Sequence, residues 1–246
     1  MTDVRIIPLE GIPEVTEGDD LAMLLGQAAE RAGGLEDGDV LVVAHKVVSK
    51  AEGRVVQLDT VEPSRRAADL AADKDPHQVE VVLREATRIV RARPPLVIAE
   101  TRHGFVCASA GVDASNAPEA GTVVLLPEDP DASAARLRDR LRDLTDCEIG
   151  VIVSDSFGRA WRQGTTDVAI GSAGIEPLRD LRGTRDSAGY ELHATVIATA
   201  DEIAGAAELV RGKTDGIPAV IVRGLDVAGD GTARDLLMPA ERDLFR

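Results

Sequence analysis

Aromatic side chains are almost missing: the 246 residues hold three Phe, one Tyr and one Trp. Stacked rings therefore cannot make the core, and Val, Ile, Leu and Ala must fill it. That supply is ample, since hydrophobic residues reach 44%, as expected of a folded chain. Lysine is equally scarce, limited to Lys46, Lys50, Lys74 and Lys213. The formal net charge of −15 removes long-range attraction to phosphate polymers. Nucleic acids and anionic membranes are thus not expected partners; the acidity reads as solubility or salt adaptation. Cysteine is limited to Cys107 and Cys147, neither in a CxxC pair. A disulfide framework and a cysteine zinc site are excluded, and a reducing cytoplasm is the expected setting. No apolar run is long enough to span a bilayer, and Met1 is followed by Thr-Asp-Val-Arg rather than a secretory signal.

What is present is an alternation of short apolar runs with helical segments. Strands are predicted over 4–9, 39–44, 122–126, 148–154 and 219–222, with a hairpin of 96–99 and 105–109. Asp19-Asp20 reads as the N-cap of a helix to about Ala32, ended by Gly33-Gly34. Helices are also predicted over 63–70, 78–92, 131–144 and 204–210, and a strand over 192–200. This pattern points to an α/β protein of mixed α+β type.

The chemistry concentrates where apolar runs end. Val151-Ile-Val-Ser-Asp155-Ser156-Phe-Gly158-Arg159-Ala-Trp161-Arg162 delivers an acid, a hydroxyl and two arginines after a buried strand. Gly111-Val-Asp113-Ala-Ser-Asn116 packs further hard oxygens into one turn. Carboxylate and hydroxyl oxygens suit Mg²⁺ or Mn²⁺; an Asx-turn is the plain alternative for Asp113. Arg159 and Arg162 suit phosphate or carboxylate oxygens, or are surface residues at a helix start. Lys46 and Lys50 flank Val47-Val48 after a strand, where a lysine can neutralise charge on a transferring phosphoryl group. On this reading Lys50 and Arg159 are the catalytic candidates. Gly212-Lys213-Thr214 looks like the tail of a phosphate-binding P-loop, but helix precedes it and strand follows. That order is reversed, so the P-loop is rejected and a nucleotide-contacting loop kept. Packing is the default role for Trp161, and a core position that for His193; His77 and His103 read as exposed.

Together these segments resemble the coenzyme F420-0:L-glutamate ligases, or γ-glutamyl ligases. The matching pieces, in family order over nearly the whole chain, are Pro8-Leu-Glu-Gly-Ile-Pro13, Lys46-Val-Val-Ser-Lys-Ala-Glu-Gly-Arg54, Gly111 to Asn116, Ser154 to Arg162, Asp201-Glu-Ile-Ala204 and Glu208 to Lys213. The resemblance implies one ligase domain over 1–246, of two intertwined lobes with mixed sheets. It implies the stand-alone form, without the nitroreductase-like domain that some members carry. It further implies a cytoplasmic homodimer that uses GTP to add L-glutamate to F420-0, then a γ-linked glutamate. Gly11, Ile12, Pro13 and Glu14 would form a GTP loop, with His45, Lys50 and Asn116 as further contacts. So would Arg211, Gly212, Lys213, Thr214, Asp215, Gly216, Ile217 and Pro218. Asp113 and Asp155 would hold divalent metal, Mg²⁺ or Mn²⁺, with Ser156 serving a second ion and K⁺ a further candidate. Two positions depart from the family: His45 replaces smaller polar residues, and Lys213 stands where some relatives present a Glu or Gln metal ligand.

Overall fold

The computed structural model describes residues 3–244. Strand β1 (Arg5–Leu9) leads to helix α1 (Leu21–Arg31), where Asp20 accepts the Met23 amide proton as N-cap. Leu21, Ala22, Leu25, Ala28 and Ala29 form its one buried face. Strand β2 (Val40–Ala44) runs directly into the short helix α2 (His45–Ala51). There follow β3 (Val55–Gln57), α3 (Arg65–Ala71), α4 (Pro76–Glu85), β4 (Ala86–Arg93), β5 (Leu96–Thr101), β6 (Val106–Ala108) and β7 (Thr122–Val124). Helix α5 (Pro130–Thr145), capped by Asp129, precedes the long hairpin β8 (Gly150–Arg159) and β9 (Arg162–Ala173). A small ribbon, β10 (Arg179–Asp180) with β11 (Val196–Ile197), comes before α6 (Thr199–Arg211) and β12 (Ala219–Arg223).

The main sheet has the order β1-β12-β2-β8-β9. Only β2 and β8 run parallel within it; the other pairs are antiparallel. Side chains alternate between its faces. Leu41, Val43, Val151, Val153, Ala219 and Ile221 pack with α1 and α5. Val40, Val42, Ile152, Val220 and Val222 pack with Ala200, Ile203, Ala204 and Ala207 of α6. Helices on both faces explain why these strands read as unbroken apolar runs. Burial of each such Val or Ile contributes roughly 1.5–3 kcal/mol, as an upper bound.

Between β2 and β8 the chain builds a further apolar cluster, including Val81, Val82, Val97, Ala99, Val112, Val123 and Leu125. It carries the β4-β5-β6 sheet and the β3-β7 pair. The fold is thus a mixed α/β arrangement with mixed sheets, as the sequence predicts.

Several expectations are corrected. The helix expected over 78–92 stops at Glu85, and Ala86–Arg93 pairs antiparallel with β5. Thr87, Ile89 and Val90 are β-branched, and the cross-strand pairing overrides the helical charge spacing. Of the strand expected over 192–200, only Val196–Ile197 forms, and α6 begins at Thr199. His193 is exposed rather than in a core. Arg159 and Arg162 flank a hairpin turn, not a helix start. Trp161 occupies that turn at φ +57° and is 82% exposed, so it does not pack in a core. His103 is partly buried, with its ring nitrogen 3.0 Å from the Pro127 carbonyl oxygen.

Candidate active site

The parallel pairing of β2 with β8 ends at Ala44 opposite Ser154, where β2 stops and β8 runs on along β9. The next residues along each are His45 and Asp155. Ligands in α/β sheets bind outside strand carboxyl ends such as that of β2, and a cavity of about 310 Å³ opens there. The start of α2 and residues 154–156 line it, and two loops complete it. One loop carries Ile12, Pro13 and Glu14 and is pinned by the buried Leu9 and Val15 on either side. The other follows α6 and supplies Arg211, Gly212, Lys213, Thr214, Gly216, Ile217 and Pro218. Asn116 reaches the cavity, and its side-chain amide donates to the Lys213 carbonyl at 3.4 Å. That bond joins the 113–116 turn to the 211–218 loop.

One ammonium pairs with the first of the two acids. Lys46 Nζ lies 2.8 Å from Asp113 Oδ2 and 2.9 Å from Ser115 Oγ. Asp113 also accepts from the Ser115 amide at 2.7 Å, so the Asx-turn and the ion pair coexist. Burial works to raise the Asp113 carboxyl, but Lys46 and the Ser115 amide hold it below its ordinary value. Asp155 is treated the same way. Burial opposes its charge, while His45, the Ser156 amide and Lys46 outweigh burial and keep the carboxyl low. His45 Nε2 lies 3.3 Å from Asp155 Oδ1, a charge contact out of hydrogen-bond alignment. Lys46 thus draws down both aspartates. Lys50, buried, pairs with Glu14 of the first loop.

A second network forms part of the cavity wall. Asp167 of β9 stands opposite Ser156 in the hairpin register and is 1% exposed. Ser156 Oγ donates to its Oδ1 at 2.7 Å and Ser154 Oγ to its Oδ2 at 2.9 Å. The buried Arg211 pairs with the same carboxylate, donates to Ser154 Oγ at 3.0 Å, and reaches Glu208 Oε2 at 3.1 Å.

The structure gathers most of the residues singled out from sequence, though not all. Asp113 stands beside the cavity through its pair with Lys46. Gly11, at φ +70°, is the bend before the first loop, and its carbonyl accepts from Arg31 at 3.1 Å. Asp215 accepts from Thr214 Oγ1 at 3.3 Å and is not part of the lining. Arg159 is exposed on the β8–β9 hairpin, donates to the Gln163 carbonyl at 3.1 Å, and belongs to a neighbouring groove instead. Sequence reasoning did not assign Ser154, Asp167 and Glu208 to the site. Asp167 had a signal: it precedes the apolar Val168-Ala-Ile as Asp155 follows Val151-Ile-Val. Among the described residues no set of three or more His, Cys, Asp or Glu is placed to hold a metal. Two carboxylates and a hydroxyl match an ion that keeps phosphate and water oxygens as its other ligands.

Comparison with known proteins identifies the family. Residues 11–224 match the family model described as F420-0:Gamma-glutamyl ligase. A coenzyme F420:L-glutamate ligase of Methanopyrus kandleri is 51% identical over 99% of this chain and 98% of its own length. Proteins of the same name from Methanothermobacter thermautotrophicus and Archaeoglobus fulgidus are 45% and 44% identical. Each alignment covers 99% of this chain, with 99% and 96% of the relatives' lengths. The chain belongs to the F420-0:gamma-glutamyl ligase family.

Proposed function

We propose that this chain is an amide-forming ligase that joins L-glutamate to coenzyme F420-0, and then a γ-linked glutamate to the product, at the expense of GTP. The observation that carries the reading is the convergence of four separated segments, 11–14, 113–116, 154–156 and 211–218, on one cleft where the β2–β8 pairing ends. Amide formation from a carboxylate is uphill in water, so the acid must be activated. In this account the γ-phosphoryl group passes to the acceptor carboxylate, giving an acyl phosphate. The glutamate amine attacks that carbonyl, the C–O bond to phosphate breaks, and the amine proton leaves to solvent.

Asp113 and Asp155, with the Ser156 hydroxyl, would hold Mg²⁺ or Mn²⁺. The bound ion supplies charge neutralisation at phosphate oxygens. The position of the Lys46 ammonium beside Asp113 supports that assignment. Lys50, fixed by Glu14, presents a buried positive charge to the same cavity. Lys213 lines it as well, so a cation stands where some relatives present a metal-ligating Glu or Gln. Phosphoryl transfer is chiefly positioning and charge neutralisation, and these residues are suited to both. Arg159 remains a candidate for the acceptor side, from the adjoining groove. A homodimer belongs to the same reading and is checked by sedimentation.

The test is an incubation with F420-0, GTP, Mn²⁺ and L-glutamate, followed by nucleotide and product analysis. The proposal expects sustained GDP release only with both other substrates, together with a product one glutamate heavier. Sustained GDP or phosphate release without F420-0 would make the protein a phosphatase-like enzyme. Tight binding without any product would make it a nucleotide- or F420-binding module.

A further inference from the structure

Asp167 has no place in the chemistry described so far, yet it is the most heavily committed carboxylate beside the cleft. Its side chain is fully buried, and both oxygens are engaged by donors from two other elements. Burying a carboxylate and a guanidinium is costly unless further hydrogen bonds satisfy them. Here Ser154 completes the set by accepting from Arg211 and donating to Asp167. The result ties the middle of β8, the middle of β9 and the last residue of α6 into one unit.

The direction of the Ser156 hydrogen bond matters. Its hydroxyl proton is committed to Asp167 Oδ1 at 2.7 Å. The oxygen's lone pairs therefore face away from β9, and Ser156 lines the cleft. Among the described residues no hydrogen-bond donor reaches that oxygen. A serine free to rotate can turn its proton toward the cation position, whereas this one presents acceptor density. Outer-layer carboxylates commonly orient the groups that touch a metal in this way. Arg211, held by the same carboxylate, is the first residue of the 211–218 loop.

We propose that Asp167 is a positioning residue, which aims the Ser156 oxygen at the cation position and fixes the root of the 211–218 loop through Arg211. The inference rests on the metal-binding reading of the cleft given above. On this reading Asp167 acts through the groups it orients and is not itself a ligand. Its replacement is therefore expected to act through Ser156.

The test measures binding of Mn²⁺ alone to the full chain, following free Mn²⁺ by electron paramagnetic resonance. Asp167→Asn and Ser156→Ala are each expected to weaken Mn²⁺ binding about 10- to 100-fold. The double variant should be no weaker than the poorer single one, because both remove the same oriented oxygen. Losses that multiply, or wild-type affinity in Asp167→Asn, would overturn the proposal. Should Asp167→Asn not fold, the pair Asp167→Asn/Arg211→Met removes both buried charges together and is expected to show the same loss. Asp155→Asn separates the two levels of the argument. If it binds Mn²⁺ like the wild type, the metal reading of the cleft fails and the Asp167 role with it. If Asp155→Asn loses Mn²⁺ while the Asp167 variants keep it, only the role of Asp167 fails.

Discussion

Two partly buried acids, Asp113 and Asp155, keep their charge against the pull of burial because Lys46 and His45 stand beside them. Replacing Asp155 by Asn removes that charge with little change of shape. Metal-dependent GTP turnover is expected to fall on the order of 10²-fold or more, measured as GDP release; unchanged turnover would remove Asp155 from the mechanism. Cys107 behaves in the opposite sense. Burial, aided by the Asp155 charge, pushes its thiol up to about 12 from 9.0. The folded protein thus holds this proton at a pH where the unfolded chain has lost it. The stability it contributes is whole below about pH 9.0 and is lost as the pH rises toward about 12. Urea midpoints should decline over that window and decline less in Cys107→Ala. Iodoacetamide should reach the half-buried Cys147 before the buried Cys107 in the native protein. At this scale the sequence was readable wherever a chemical group closes an apolar run, as Asp155 and Lys46 do. Asp167 was harder to read, because its neighbours are set by the β8–β9 register and not by chain proximity.

Elements place these groups through a few tight contacts. Gly171 of β9 passes under the start of α5, and a Cβ there would sit 2.2 Å from the Pro130 carbonyl oxygen. Gly171→Ala must push α5 off the sheet and is expected to cost on the order of 1–3 kcal/mol, read from urea unfolding. Gly212 ends α6 at φ 58° and ψ 176°, a conformation essentially reserved for glycine. A Cβ there would also meet Asp215 Oδ2 at 2.3 Å. Gly212→Ala should disturb the loop more than the core. Its GTP affinity is expected to fall roughly 5- to 150-fold, the equivalent of 1–3 kcal/mol, by calorimetric titration. The helix–loop–strand order around Gly212-Lys213-Thr214 was legible, since α6 precedes it and β12 follows. The strand over Ala86–Arg93 was not. Its pattern of exposed arginines also fits a helix, and only pairing with β5 decides between them. The segment 192–200 misled for a related reason: its apolar residues find no sheet to join beyond the two-residue ribbon.

For the molecule as a whole, composition and alternation foretold a mixed α/β fold built on aliphatic strands, and the five-stranded sheet is of that kind. Which strands lie parallel could not be read locally, because β2 and β8 are separated by the whole 55–125 segment. Yet that one parallel pair puts His45 beside Asp155 and so creates the cleft. No helix among the described residues is long and apolar enough to cross a membrane. On the proposed mechanism this cleft activates a carboxylate by phosphorylation before the amine arrives. F420-0 carrying ¹⁸O in its acceptor carboxylate, turned over with GTP and L-glutamate, tests it in one step. The account predicts that one ¹⁸O atom per turnover appears in the inorganic phosphate released. Amide product formed with unlabelled phosphate would contradict it.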